Sequence, residues 1–328
     1  MRISSWFGLA ACFVSVAGSA RADDSAATVF PIFLAEGFGG LDYYGVEEAL
    51  EESGATVCDP PDDVVPHFAG SEARAAVLIE QIEDCARSTE TGRVNLIGYS
   101  QGGEDARIVL SERPDLLASV TTVGTAHQGS SGLADRFIVC ASLQQLSLPC
   151  APEDQAAFDA FLGLAPVGAD PDAPNPPDNL HVLQTQCQFS SGQNLLAATV
   201  CAAAGFDTGP IFDTKYPIGL PLLYCGEGPE FVFGPLGRRI YLFSWGGERV
   251  LTDSDDASDA ALAATSRFQQ LGNDGLVERC SSHFGKVLRD DYPWNHLDLI
   301  NQVEGQTRDA DPILVFRQHV NALKGLGL

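Results

Sequence analysis

Gly98-Tyr99-Ser100-Gln101-Gly102 fits the pattern G-x-S-x-G. A serine hydroxyl is a weak nucleophile until a neighbouring base takes its proton, and this pattern holds one on a sharp turn where such a base can reach it. A side chain at either glycine position would obstruct the turn. The motif by itself recurs by chance. Here the β-rich run Val94-Asn95-Leu96-Ile97 precedes it and a helical stretch over residues 104–111 follows, the strand–turn–helix setting that the chemistry needs. The helix N-terminus beneath Ser100 adds a positive dipole and free N–H groups.

Acyl transfer from this serine needs a base, an acid to orient it and donors for the oxyanion. In a strand–turn–helix hydrolase the order along the chain is Ser, then Asp or Glu, then His. Of the six histidines, His67 precedes Ser100 and His319 lies in a predicted C-terminal helix. His127 and His181 precede the best acid, Asp274, which sits in the turn Asn273-Asp274-Gly275 after a sheet-like segment. His283 and His296 remain, and the residues themselves do not separate them; the acidic loop around Asp253 also offers competing carboxylates. The N–H after the nucleophile, that of Gln101, is one oxyanion donor. The glycine-rich loop Glu36-Gly37-Phe38-Gly39-Gly40 is placed to give the second, from Phe38.

The elements around these residues alternate. Residues 28–34 read as a buried strand and 44–53 and 73–88 as helices; 93–97 is a strand, and 120–123 the next. Such alternation indicates an α/β fold with a mostly parallel central sheet and helices on both faces. From about 130 to 220 the pattern breaks: Pro, Gly and Asp are frequent, four cysteines fall there, and 153–164 is a helix candidate. This region reads as an insertion capping the core. Residues 240–245 restore a strand, and 310–323 close the chain as a helix.

The N-terminal residues and the cysteines predict export from the cytoplasm. Arg2, an apolar stretch over 6–18 and Ala20-Arg21-Ala22 together predict a signal peptide over 1–22, cut after Ala22. The apolar run is too short for a membrane anchor. Leu9-Ala10-Ala11-Cys12 is a competing lipoprotein signal, but it would leave a very short leader. Beyond the leader stand eight cysteines, an even number that predicts disulfides in an exported protein. Proximity favours Cys58–Cys85, Cys140–Cys150 and Cys187–Cys201. A formal net charge of −25 excludes nucleic acid and anionic lipid surfaces as favoured partners.

Several blocks, in one order, resemble the secreted triacylglycerol lipases of Pseudomonas and Burkholderia, which are α/β-hydrolases. They are residues 94–103, 116–130, Tyr216-Pro217-Ile218-Gly219, Cys225-Gly226-Glu227-Gly228, Asn273-Asp274-Gly275-Leu276-Val277, Cys280-Ser281-Ser282-His283, Asn295-His296-Leu297-Asp298 and Asn301-Gln302. The likeness spans most of the chain except roughly 135–213. It implies Ser100 as nucleophile, Asp274 as acid and His296 as base, with the N–H groups of Phe38 and Gln101 as oxyanion donors. It implies one structural calcium held by Asp256 (or Asp255, one residue away), Asp298, the Gln302 side chain and the Gln306 carbonyl; oxygen ligands suit that ion. It also implies a Cys225–Cys280 disulfide, an acylglycerol substrate met at a lipid–water interface, a lid formed by the insertion, and a membrane-bound foldase during secretion. Two departures stand out: Glu36 occupies the position of the family's usual histidine, and the insertion carries cysteines that the family lacks. The competing expectations are a soluble carboxylesterase on the same fold and a non-catalytic binding protein of hydrolase ancestry.

Overall fold

The computed structural model describes residues 27–328 except 42, 59–64, 131, 165–178, 270–271, 304, 306 and 308–309, and describes 179–182 by backbone alone. The expected leader, residues 1–22, and the expected calcium ligand Gln306 lie outside the described residues.

The first half is β1 (Ile32–Ala35), α1 (Val46–Glu52), α2 (Ser71–Ser88), β2 (Val94–Tyr99), α3 (Gln101–Glu112) and β3 (Leu117–Val123). An all-helical segment follows: α4 (Leu133–Gln145), α5 (Pro152–Leu164), α6 (Asn179–Phe189), α7 (Leu195–Ala204) and α8 (Gly209–Lys215). The chain then returns to the sheet with β4 (Phe231–Phe233) and β5 (Arg239–Gly247), and finishes with α9 (Asp259–Ser266), β6 (Lys286–Tyr292) and α10 (Pro312–Gly325).

The sheet runs β1-β2-β3-β5, with all neighbours parallel. β4 lies antiparallel on the first half of β5, and β6 lies parallel on its second half. Strands β2 and β3 are buried along their whole length, as interior parallel strands covered on both faces are. Successive side chains alternate between two cores. Ile97, Tyr99 and Val123 pack with Trp245, Phe316 and Val320 on the α10 side. Leu96 and Val120 pack with Leu78, Ile82 and Val109 on the α2–α3 side. This is the α/β-hydrolase architecture.

The four cysteine pairs expected from proximity and from the resemblance are all bonded. Cys58–Cys85 and Cys225–Cys280 have Cα separations of 5.9 and 4.5 Å. Cys140–Cys150 (5.2 Å) ties α4 to the start of α5, and Cys187–Cys201 (5.7 Å) ties α6 to α7. Both of the latter lie wholly within the insertion.

The segment ahead of Asn273 is helix α9 rather than the sheet-like run expected there. β6 follows the turn instead. Its sequence, Lys-Val-Leu-Arg-Asp-Asp-Tyr, leaves most positions partly or fully exposed, so it lacks the apolar signal of an interior strand.

Candidate active site

Every part of the site hangs from the carboxyl ends of the parallel strands, where open α/β sheets place their crevice. Ser100 lies between the last residue of β2 and the first of α3, at φ 51° and ψ −120°. A non-glycine residue held there is strained, and its neighbours hold it. A Cβ on Gly98 would come within 2.3 Å of the Gly102 carbonyl oxygen, and one on Gly102 within 2.3 Å of the Ala35 carbonyl oxygen. Both glycines are therefore required by close backbone approach, and α3 sits directly under the loop that leaves β1.

His296 Nε2 stands 3.0 Å from Ser100 Oγ, and its Nδ1 stands 2.8 Å from Asp274 Oδ2. The other carboxylate oxygen of Asp274 accepts backbone N–H bonds from Leu276 (3.0 Å) and Val277 (2.7 Å). Asp274 thus has one oxygen fixed by the main chain and one left for the imidazole. The His296 backbone N–H also donates to the Asp274 carbonyl, at 2.8 Å. His296 and Asp274 are both buried. The geometry separates the two histidines left open by the sequence. His283 Nδ1 lies 2.8 Å from the Gly226 carbonyl oxygen and its Nε2 lies 2.9 Å from Asp290, so it braces the Cys225–Cys280 region.

The loop after β1, where the second oxyanion donor is expected, is clamped from below. Arg74, buried in α2, donates to the Glu36 carbonyl (2.6 Å), the His67 carbonyl (3.1 Å) and Asp105 on α3 (2.7 Å). Gly39 N–H donates to the same His67 carbonyl. Glu36 Oε2 is 3.5 Å from His67 Nδ1, and both side chains are partly exposed. Phe38 follows within the loop and lines the pocket over Ser100, and Gln101 opens α3, where the first N–H groups find no acceptor in the helix.

That pocket is apolar. Phe38, Phe137, Phe161, Phe189 and Leu276 line it around Ser100, in a cavity of about 50 Å³. The Phe38 and Phe161 rings stack at 5.6 Å, and Phe161 touches Phe137 at 5.2 Å. Those last two residues belong to α5 and α4, so the insertion roofs the site.

Behind His296 lies a set of buried carboxylates. Asn295 Nδ2 is 3.0 Å from both Asp256 Oδ2 and Asp259 Oδ1, and Asn295 N–H donates to Asp298 Oδ2 at 3.0 Å. Asp298 is fully buried, and its Oδ1 has no hydrogen-bond partner. Burial, with the charges of Asp256 and Asp259 adding to it, pushes the Asp298 carboxyl up to about 7. No ion pair to Lys or Arg joins these three groups among the described residues. A bare buried carboxylate oxygen beside like charges fits a bound cation. The side chain of Gln302 is buried nearby in the chain. Among the described residues no three His, Cys, Asp or Glu side chains already converge on one metal position, and the expected set asks for only two.

The sequence over its full length gives the family. A triacylglycerol lipase of Vibrio cholerae is 34% identical over 337 residues, covering 99% of this chain and 95% of the relative. The chain belongs to the triacylglycerol lipase family. Lipases of Pseudomonas fragi (33% identical, 93% of this chain and 100% of the relative) and Burkholderia plantarii (32%, 94% and 89%) agree. No family model matches. Among solved structures, the mature Bacillus licheniformis lipase BlEst2 aligns with a TM-score of 0.48 and 16% identity, over 89% of this chain and 91% of that one. The lipase carries no single helix, among its described residues, that is long and apolar enough to cross a membrane.

Proposed function

We propose that this lipase hydrolyses the ester bonds of acylglycerols through an acyl-enzyme on Ser100. The observation that carries the reading is the continuous hydrogen-bond chain Ser100–His296–Asp274 at 3.0 and 2.8 Å. His296 Nε2 takes the Ser100 proton as Oγ attacks the ester carbonyl. Asp274 keeps the proton on Nδ1 before attack and stabilises the imidazolium after it. The N–H groups of Phe38 and Gln101 receive the oxyanion. Protonated His296 then gives its proton to the leaving alcohol, and water repeats the cycle on the acyl-enzyme.

The pocket supports a lid. Phe137 and Phe161, on α4 and α5, close over Ser100, and their withdrawal with those helices would open a path for an acyl chain. An oil surface would cover the aromatic face thus uncovered. Calcium held by Asp256, Asp298, Gln302 and the Gln306 carbonyl would neutralise the buried charge and fix the loop that carries His296. Export through the expected leader, with a foldase, completes the proposal. The test compares hydrolysis of emulsified long-chain triacylglycerol with that of soluble short-chain esters. Faster turnover on the emulsion supports the reading; activity confined to soluble esters makes the protein a carboxylesterase.

A further inference from the structure

We infer that Tyr99, the residue before the nucleophile, is a positioning residue for the base His296. The inference rests on the triad reading above and adds a part to it.

Tyr99 ends strand β2 and is completely buried. Its hydroxyl donates to the His296 backbone carbonyl at 2.9 Å. Its ring lies beside the imidazole, with centroids 5.0 Å apart and planes 36° apart. A Cβ on Gly37 would come within 3.0 Å of two carbons of the same ring, so the ring also lies directly under the oxyanion loop. One side chain therefore touches the base and the oxyanion loop, and its backbone carries the nucleophile.

His296 needs this. Its backbone N–H is fixed to the Asp274 carbonyl and its Nδ1 to the Asp274 carboxylate, both on one side, while its Nε2 contact with Ser100 must change as the proton moves. The Tyr99 hydroxyl fixes the opposite side of the same residue. The Tyr99 ring is itself fixed from behind, edge-on to Tyr43 at 6.2 Å, and Tyr43 is anchored through its own hydroxyl to the Ala35 and Ile97 carbonyls. Burial first, and then the neighbouring Asp274 carboxylate, hold the Tyr99 phenol far above its ordinary pKa. It stays a protonated donor and does not shuttle protons.

The test is Tyr99→Phe, measured on a soluble ester below the melting temperature and beside wild type, Ser100→Ala and Ser119→Ala. Ser119→Ala removes a buried hydroxyl that bonds Asn95 and touches neither His296 nor Tyr99, so it matches a loss of stability without a loss of positioning. The Tyr99 variant should lose roughly tenfold in kcat with KM nearly unchanged, because one hydrogen bond that holds reacting groups in place is worth about that factor. Inactivation by a serine-directed phosphonate should slow by the same factor. Ser119→Ala should keep its kcat. If Tyr99→Phe does not fold, 4-fluorophenylalanine at position 99 fills the hydroxyl's space without a donor and carries the same expectation. Wild-type kcat in a Tyr99 variant, or a loss no larger than that of Ser119→Ala, overturns the inference. Activity retained by Ser100→Ala would instead overturn the triad reading beneath it.

Discussion

Replacing Asp274 by Asn tests whether the main chain dictates the proton on His296. The change keeps size and removes one charge. Asp274 Oδ1 is held by the N–H groups of Leu276 and Val277, and Oδ2 faces His296 Nδ1 at 2.8 Å. An asparagine there has two orientations. With its oxygen toward the two backbone donors, both hydrogen bonds survive and the amide NH2 faces Nδ1. The reverse orientation sets NH2 against two buried N–H groups and leaves them unpaired, at roughly 1–3 kcal/mol each. The first orientation wins, so Nδ1 must accept and the ring proton moves to Nε2. That proton then points at Ser100 Oγ, 3.0 Å away, and the base cannot act. The expected loss in kcat is on the order of 10⁴, or about 5.5 kcal/mol of barrier. Steady-state hydrolysis of a p-nitrophenyl ester at neutral pH measures it, with a melting curve to show that the variant is folded. A folded Asp274→Asn enzyme keeping more than about a tenth of wild-type kcat would refute the reasoning.

Other outcomes follow from the same geometry. Chelation by EDTA should lower the melting temperature and the activity together, with calcium restoring both, because Asp298 adjoins the His296 loop; an unchanged melting curve counts against the ion. Glu36→Gln should leave kcat/KM unchanged or lower it, since Glu36 already stands beside His67. A clear rise would show its charge acting on the oxyanion. Burial lowers His319 to about 4, so the folded chain keeps it neutral while the unfolded chain takes a proton from about 6.5 downward. Its contribution is complete above that value and is lost as pH falls toward 4, a difference of roughly 3 kcal/mol. The melting temperature of His319→Gln should therefore fall less than that of wild type between those pH values; parallel curves would contradict this.

What the sequence discloses depends on how local each feature is. Ser100 is legible because strand, glycine, serine and helix lie within some twenty residues, and each has its own signal. The resemblance supplies His296, because both candidates lie beyond Asp274 and only tertiary contacts tell them apart. His283 meets Gly226 and Asp290, whereas His296 meets Ser100 across the sheet. Arg74 and Tyr99 escape notice for the same reason. The Glu36 carbonyl that Arg74 holds is 38 positions away, and the carbonyl that Tyr99 holds is 197 away. Strand β6 is hidden because its charges read as surface, and α7 because Leu-Leu-Ala-Ala-Thr-Val-Cys-Ala-Ala-Ala is apolar without a helical period.

The central claim is that Ser100 is the nucleophile, activated by His296. The most direct measurement is labelling with a serine-directed alkyl phosphonate, followed by peptide mass spectrometry and residual-activity assay on the same sample. One phosphonyl adduct per chain, on the peptide containing Ser100, with activity lost in step and neither adduct nor activity in Ser100→Ala, is the predicted result. Full labelling at another residue, or hydrolysis persisting after Ser100 is fully modified, would contradict it.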